Sequence, residues 1–207
     1  MKLYFAPAAC SLAVHIAARE LGLDLQYEKV DVFTHRLGDG SSFYAINPRG
    51  YVPVLELDGG SRMTEVTAIL QYLSDQRPEA GLLPAPGGAA RYEVLQWLGF
   101  IATELHKGLS PWLWHAGTAE STKQSVLQRL AVRLRDLEAS LSARPFLSGD
   151  HFTIADAYAF AILNWSRLLE ISLSPYPAVG AYLARVGARP AVREALAFEG
   201  LAAPATI

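Results

Sequence analysis

The chain has 207 residues, enough for one large domain or two small ones, and is 51% hydrophobic and 18% charged, a composition that excludes disorder as the dominant state. Eighteen Lys and Arg against twenty Asp and Glu leave a formal charge of −2, which provides no electrostatic footprint for sequence-independent binding of nucleic acid. The single cysteine, Cys10, cannot form an internal disulfide, so the fold rests on packing and a reducing cytoplasm suits it. The apolar N-terminal stretch is interrupted by Pro7 and His15 and runs on into Arg19 and Glu20, unlike a secretion signal. No apolar run reaches the ~18 uninterrupted residues of a membrane span.

Lys2 to Phe5 reads as a buried strand, and Ala6-Pro7-Ala8-Ala9 as a turn. From Ser11 the spacing of Leu12, Ile16 and Leu23 predicts a helix with Gly22 as its C-terminal cap. A second strand is expected over about 25–32, then a weaker helical stretch over 35–46 that Asn47-Pro48-Arg49-Gly50 would end. Pro53 to Leu57, Asp58-Gly59-Gly60 and Ser61 to Thr64 read as an antiparallel hairpin. Glu65 to Arg77 reads as a helix with Val66, Ile69, Leu70 and Leu73 on one face. This order makes a compact α/β unit over 1–77. Residues 78–88 are rich in Pro and Gly and suit an exposed linker. Over 89–207 no strand is expected: segments near 89–115, 118–143, 153–169, 175–187 and 190–198 carry helical periodicity and predict an all-helical domain. Thr153 and Asp156 fit a capping box.

The chain contains no GxGxxG, GxxxxGK, GxSxG or HExxH, so dinucleotide, nucleotide-phosphate, serine-hydrolase and zinc-protease readings lack their usual support. The five histidines are too scattered for a metal site to be read from spacing. Cys10 stands where a strand turns into a helix. There the first-turn amides and the helix dipole favour an anion and draw a thiol's pKa down. Free cysteine is also among the most buried residue types, and local context leaves both readings open. Strand, turn with Cys, helix and a later Pro-initiated strand are thioredoxin-like in outline. Without a CxxC, any disulfide at Cys10 needs an external thiol to resolve it, which points to a small cellular thiol as co-substrate.

Met1-Lys2-Leu3-Tyr4, Ala8-Ala9-Cys10-Ser11-Leu12, Asn47-Pro48-Arg49-Gly50-Tyr51-Val52-Pro53, Leu70-Gln71-Tyr72-Leu73, Ile101-Ala102-Thr103-Glu104-Leu105-His106-Lys107 and Phe152-Thr153-Ile154-Ala155-Asp156-Ala157-Tyr158 run in register from residue 1 to about 201. Together they resemble the bacterial cytosolic glutathione S-transferases of the beta class. The resemblance implies a thioredoxin-like glutathione-binding domain over 1–77, a linker over 78–88, and an all-α helical bundle over 89–207 that contributes the hydrophobic acceptor-substrate site. It implies that Cys10 faces the glutathione sulfur, and that Val52 pairs its backbone with the tripeptide ahead of a cis Pro53. Glu65 then holds the γ-glutamyl amine while the amides around Glu65 and Val66 take the carboxylate. Thr103 and His106, at i and i+3, would share a helix face and approach Cys10, a protonated His106 adding to the pull on the thiol. Glu104 would reach the neighbouring subunit's glutathione across a dimer interface. On their own residues, His106 reads as a surface or interdomain histidine and Glu104 as a solvated helix charge.

Three positions depart from the family pattern. Val66 replaces the usual Gly or Ser and offers no hydroxyl; His35 replaces a Lys that reaches the glycyl carboxylate, making that anchor pH-dependent; and Gly99 replaces an Asn. Trp112, Trp114, His115 and Trp165 are candidates for the acceptor pocket beside Pro7 and Phe33, although aromatic clusters on helices also read as core. The function implied is conjugation of glutathione to hydrophobic electrophiles in detoxification, by a cytoplasmic homodimer with no metal, nucleic-acid or membrane partner. Phe100 and Ile101 would contribute to the contact between subunits. Thiol-disulfide exchange through a mixed disulfide at Cys10 is a second activity of the same site. A non-catalytic glutathione- or hydrophobic-ligand-binding regulatory protein is the alternative, against which the joint presence of Cys10, Glu65 and His106 argues.

Overall fold

The structure, a computed structural model, describes residues 1–202; the last five residues of the expected helical domain lie outside the described residues. β1 (Lys2–Phe5) occupies the middle of a five-stranded sheet. β2 (Gln26–Asp31) pairs parallel to it, with Leu3 opposite Tyr27, and β4 (Val54–Glu56) pairs antiparallel, with Leu3 opposite Leu55. β3 (Arg36–Leu37) and β5 (Arg62–Thr64) form the two edges. Leu3, Tyr4 and Phe5 are all buried, as an apolar run must be when the strand is covered on both faces.

α1 (Ser11–Glu20) crosses from β1 to β2. It ends as predicted: the Leu23 N–H bonds to the Ala18 carbonyl at 2.9 Å and the Gly22 N–H to the Arg19 carbonyl at 3.1 Å, with Gly22 at φ 63°. This is a Schellman closure, which favours a glycine at that position. The β4–β5 hairpin is also as expected, its turn held by the Leu57 N–H on the Ser61 carbonyl at 2.8 Å. α2 (Val66–Asp75) completes the first half with Val66, Ile69, Leu70 and Leu73 buried.

Residues 35–46 depart from the predicted helix. They form the edge strand β3 and a 3₁₀ turn at Phe43–Ala45. Turn devices lie inside the stretch: Asp39 Oδ1 accepts from the amide of Ser41 (2.8 Å), and His35 and Gly40 sit at positive φ. The supposed linker is not a free tether either. Leu82 and Leu83 are buried, and the Leu82 carbonyl accepts the Ile154 N–H at 3.1 Å, because those two leucines join the core that the Pro/Gly composition conceals.

The second half is helical: α3 (Ala89–Phe100), α4 (Lys107–Leu109), α5 (Glu120–Ala143), α6 (Ile154–Leu163), α7 (Trp165–Leu168), α8 (Pro177–Gly187) and α9 (Pro190–Phe198). The fold is therefore a thioredoxin-like α/β half followed by an all-α half. The predicted helix over 89–115 is broken into α3, a π-helical turn at Ile101–His106 and the short α4. Beyond Ser110 the chain leaves the helix at Pro111, which has no N–H to continue it. The segment 153–169 likewise divides at Asn164. One apolar cluster runs through both halves: Ser11 to Ala18 of α1 and every residue of α6 are buried. Each fully buried Leu or Ile in it contributes about 1.5–3 kcal/mol. Among the described residues no helix is long and apolar enough to cross a membrane.

Candidate functional site

The turn between β1 and α1 is held from within and from the helical half. Buried Ser11 accepts from the Ala6 N–H and donates to the Ala6 carbonyl, both at 3.2 Å. Ala8, at φ 62°, has both backbone groups gripped: its N–H donates to Glu199 Oε2 (3.1 Å), and its carbonyl accepts from Trp165 Nε1 (2.7 Å). Glu199 Oε1 accepts from His15 Nδ1 (3.0 Å), whose Nε2 accepts from Arg19 Nε (2.9 Å). The chain of donors fixes the His15 proton on Nδ1.

This turn delivers Cys10 to the start of α1, where its Sγ lies 3.5 Å from the Val52 carbonyl, next to the cis Val52–Pro53 bond. The expected thiolate is not what the site favours. Burial pushes the Cys10 thiol up to about 12, against the opposing pull of Lys107 and of the amides of Cys10 and Ser11; desolvation outweighs the helix terminus. His106 is also buried, its Nδ1 2.7 Å from the Tyr158 hydroxyl. Burial, and secondarily Lys107, bring its imidazole down to about 4, so the protonated His106 expected beside the thiol gives way to a neutral ring at pH 7.

The remaining expected residues divide. Glu65 sits at φ 71° immediately before α2, its carbonyl taking the amides of Ala68 and Ile69. The amides of Val66 and Thr67 are left at the open helix end, where an anion is favoured. Arg49 lies 3.6 Å from the Glu65 carboxylate. His35, at φ 52°, hydrogen-bonds the Gly50 carbonyl through Nδ1 (3.1 Å) and packs on Tyr44. Any Cβ at Gly50 would meet both rings at 2.8 Å. Thr103 does not share a face with His106: it is exposed and donates to the Gly99 carbonyl at 3.0 Å. The π turn carries more residues per turn than an α-helix, so i+3 falls further round the axis. Glu104 is exposed and paired with Arg133 at 2.7 Å.

Among the aromatic candidates, Trp165 packs edge-on against His106 (5.3 Å) and Trp114 (5.5 Å) and bonds to Ala8 beside Pro7. Half-exposed Trp112, exposed His115 and Phe33, 94% exposed, show no contact with that cluster. The structure adds two residues that the sequence reading did not single out. Tyr158 touches His106, and Lys107, whose Nζ lies 5.6 Å from the Tyr51 ring centre, exerts its field on both Cys10 and His106. Both stand in the strings quoted above, which was the available signal. No group of three or more His, Cys, Asp or Glu among the described residues could hold a metal ion.

Two family models match the chain: "Glutathione S-transferase, N-terminal domain" over residues 9–76 and "Glutathione S-transferase, C-terminal domain" over 100–190. The glutathione S-transferase GstA of Escherichia coli O157:H7 is 42% identical over 201 residues, covering 97% of this chain and all of that one. The chain belongs to the glutathione S-transferase family. It is an enzyme with glutathione as co-substrate. Solved transferase structures agree over nearly the whole length. BphK, a bacterial enzyme in a ternary complex, gives a TM-score of 0.95 at 45% identity, over 97% of this chain and 100% of that one. The beta-class transferase of Sphingomonas chungbukensis gives 0.93 at 40%, over 98% and 100%. A sphingomonad transferase complexed with glutathione gives 0.92 at 42%, over 98% and 100%.

Proposed function

We propose that this glutathione S-transferase joins the glutathione sulfur to a hydrophobic electrophile in the groove between its halves, and works as a cytoplasmic homodimer. What supports this reading is Cys10 Sγ at 3.5 Å from the Val52 carbonyl beside the cis Pro53, with Glu65 near enough for its charge to act on Cys10, and with Tyr158, the partner of His106, feeling both Cys10 and Glu65. Residues 1–77 hold glutathione, 78–88 connect, and the helical remainder supplies the acceptor side. The amides of Val66 and Thr67 receive the γ-glutamyl carboxylate, Glu65 the amine, Val52 the peptide backbone and His35 the glycyl end. Cys10 and His106 flank the sulfur, with Thr103 and Glu104 at the rim. Trp114, Trp165 and Pro7 form the acceptor wall, with Trp112, His115 and Phe33 at its margin.

In conjugation the glutathione S–H releases its proton to solvent, the sulfur lone pair bonds to the electrophilic carbon, and the leaving group departs with its electron pair. A neutral His106 serves that step as a hydrogen-bond donor to the thiolate, and Cys10, whose S–H is directed to the Val52 carbonyl in the free protein, becomes a second donor when that proton turns to the sulfur. The same two states speak against Cys10 as the attacking nucleophile, so conjugation takes precedence over thiol-disulfide exchange. The homodimer reading finds support in exposed Tyr92, Leu127 and Val132 on α3 and α5. Ile101, fully buried within its own chain, is not available to a partner.

Retention on immobilised glutathione, together with mass-spectrometric detection of a conjugate with an activated chloroarene, tests the proposal. Retention without turnover would favour the binding-protein alternative, and neither would overturn the reading.

A further inference from the structure

Tyr158 on α6 and His106 are both buried, and the 2.7 Å contact between the hydroxyl and Nδ1 is the one hydrogen bond either side chain makes among the described residues. Which of the two donates follows from counting protons. A neutral imidazole brings one N–H and a phenol one O–H. If Nδ1 donated to the phenol oxygen, the Tyr158 proton would be buried with no acceptor, a costly arrangement. If the phenol donates to Nδ1, its proton is satisfied and the imidazole proton sits on Nε2, which is not among the fully buried polar atoms left without a partner in the described residues and so is open to water or a ligand. Burial holds Tyr158 above the ordinary tyrosine range, with Cys10 and Glu65 adding to the effect, so the phenol keeps its proton throughout the working range. Lys107, the neighbouring charged group, disfavours a second proton on the ring. Edge-on packing against Tyr158 (84°) and Trp165 (71°) fixes the ring plane.

We propose that Tyr158 is a positioning residue for the transferase reaction: its hydroxyl donates to His106 Nδ1 and holds the imidazole as the Nε2–H tautomer, a neutral donor for the glutathione sulfur. This rests on the conjugation reading above. The Nε2–H offers its hydrogen bond to the thiolate without surrendering its proton, so Tyr158 acts on the sulfur through His106 and touches neither substrate.

Imidazole nitrogen NMR of the full-length protein, wild type and Tyr158→Phe, tests the assignment without substrate. The wild type is expected to show Nδ1 bare and Nε2 protonated, with Tyr158→Phe mixing or inverting the two. With glutathione bound, Tyr158→Phe should raise the apparent pKa of the glutathione thiol, read by its ultraviolet absorbance, and lower kcat about tenfold, with KM for glutathione changing less than twofold. A wild-type proton on Nδ1, an unchanged tautomer in the variant, or lost stability with an unmoved thiol pKa would each overturn the proposal. The wild-type spectrum decides the tautomer even if the variant fails to fold. An enzyme that conjugates nothing would overturn the functional reading while leaving the tautomer result standing.

Discussion

Burial acts on Cys10 and His106 in one sense, penalising the charged form of each, and so moves their pKa values in opposite directions. Cys10 Sγ should show no thiolate absorbance at pH 8 in the free protein; a titration midpoint below about 8.5 would return the reactive-thiol reading. The same shifts set the pH dependence of stability. His106 ionises near 4 folded against 6.5 unfolded, so its contribution is complete above pH 6.5 and is lost as the pH falls through 4. Between pH 7 and 4 the wild type should lose roughly 2–3 kcal/mol more than His106→Gln, measured by urea denaturation. Equal losses would show that the imidazole is not desolvated. Cys10 works at the alkaline end: the unfolded thiol ionises near 9 and the folded one near 12, so its contribution is whole below 9 and fades towards 12.

Asp156 makes the scale of a single buried residue plain. As a capping residue alone its loss would cost about 0.5–2 kcal/mol. The capping box is formed, but the fully buried carboxylate also accepts from the Leu147 amide (2.9 Å) and the Tyr182 hydroxyl (3.1 Å), besides the Thr153 amide (2.8 Å) and hydroxyl (2.9 Å). Asp156→Ala strands three donors, the Tyr182 hydroxyl keeping the carbonyl of residue 156 at 3.3 Å, and should cost about 3–5 kcal/mol. A urea midpoint shift corresponding to 1 kcal/mol or less would mean that the cap alone matters.

Elements were legible where their signals are local. Gly22 after an amphipathic run, Asp58-Gly59-Gly60 between two apolar stretches and Thr153 three residues before Asp156 each act within one turn of chain, and each forms as read. The stretch 35–46 is not helical because Asp39 takes the Ser41 amide and Gly40 adopts positive φ in the middle of it, which outweighs a weak helical pattern. The π turn leaves no such mark, and it puts Thr103 on the exposed side while His106 is buried. The contacts that finish the site lie beyond local reading altogether: Tyr158 meets His106 across 52 positions, and Glu199 meets Ala8 across 191. Glu199→Ala tests the second. It leaves the Ala8 amide and His15 without their acceptor, and should cost about 2–5 kcal/mol and weaken glutathione binding by loosening the turn before Cys10. Unaltered affinity in the folded variant would show that the turn holds itself.

At the scale of the whole molecule, the two halves are bound by a shared core and by polar clasps such as the bidentate pair of Arg189 with Glu20 at 2.6 and 2.7 Å. The halves should therefore unfold together, in one urea transition followed by tryptophan fluorescence and by circular dichroism; separated transitions would contradict a common core. Between them lies the proposed chemistry, with a thiolate borrowed from glutathione and a cysteine that stays protonated. The initial rate of glutathione conjugation to an activated chloroarene, compared between the wild type and Cys10→Ala, addresses that claim directly. Catalysed conjugation is expected from both, the variant retaining at least about a tenth of the wild-type rate; no catalysis by the wild type, or its complete loss in Cys10→Ala, would contradict a thiolate supplied by glutathione.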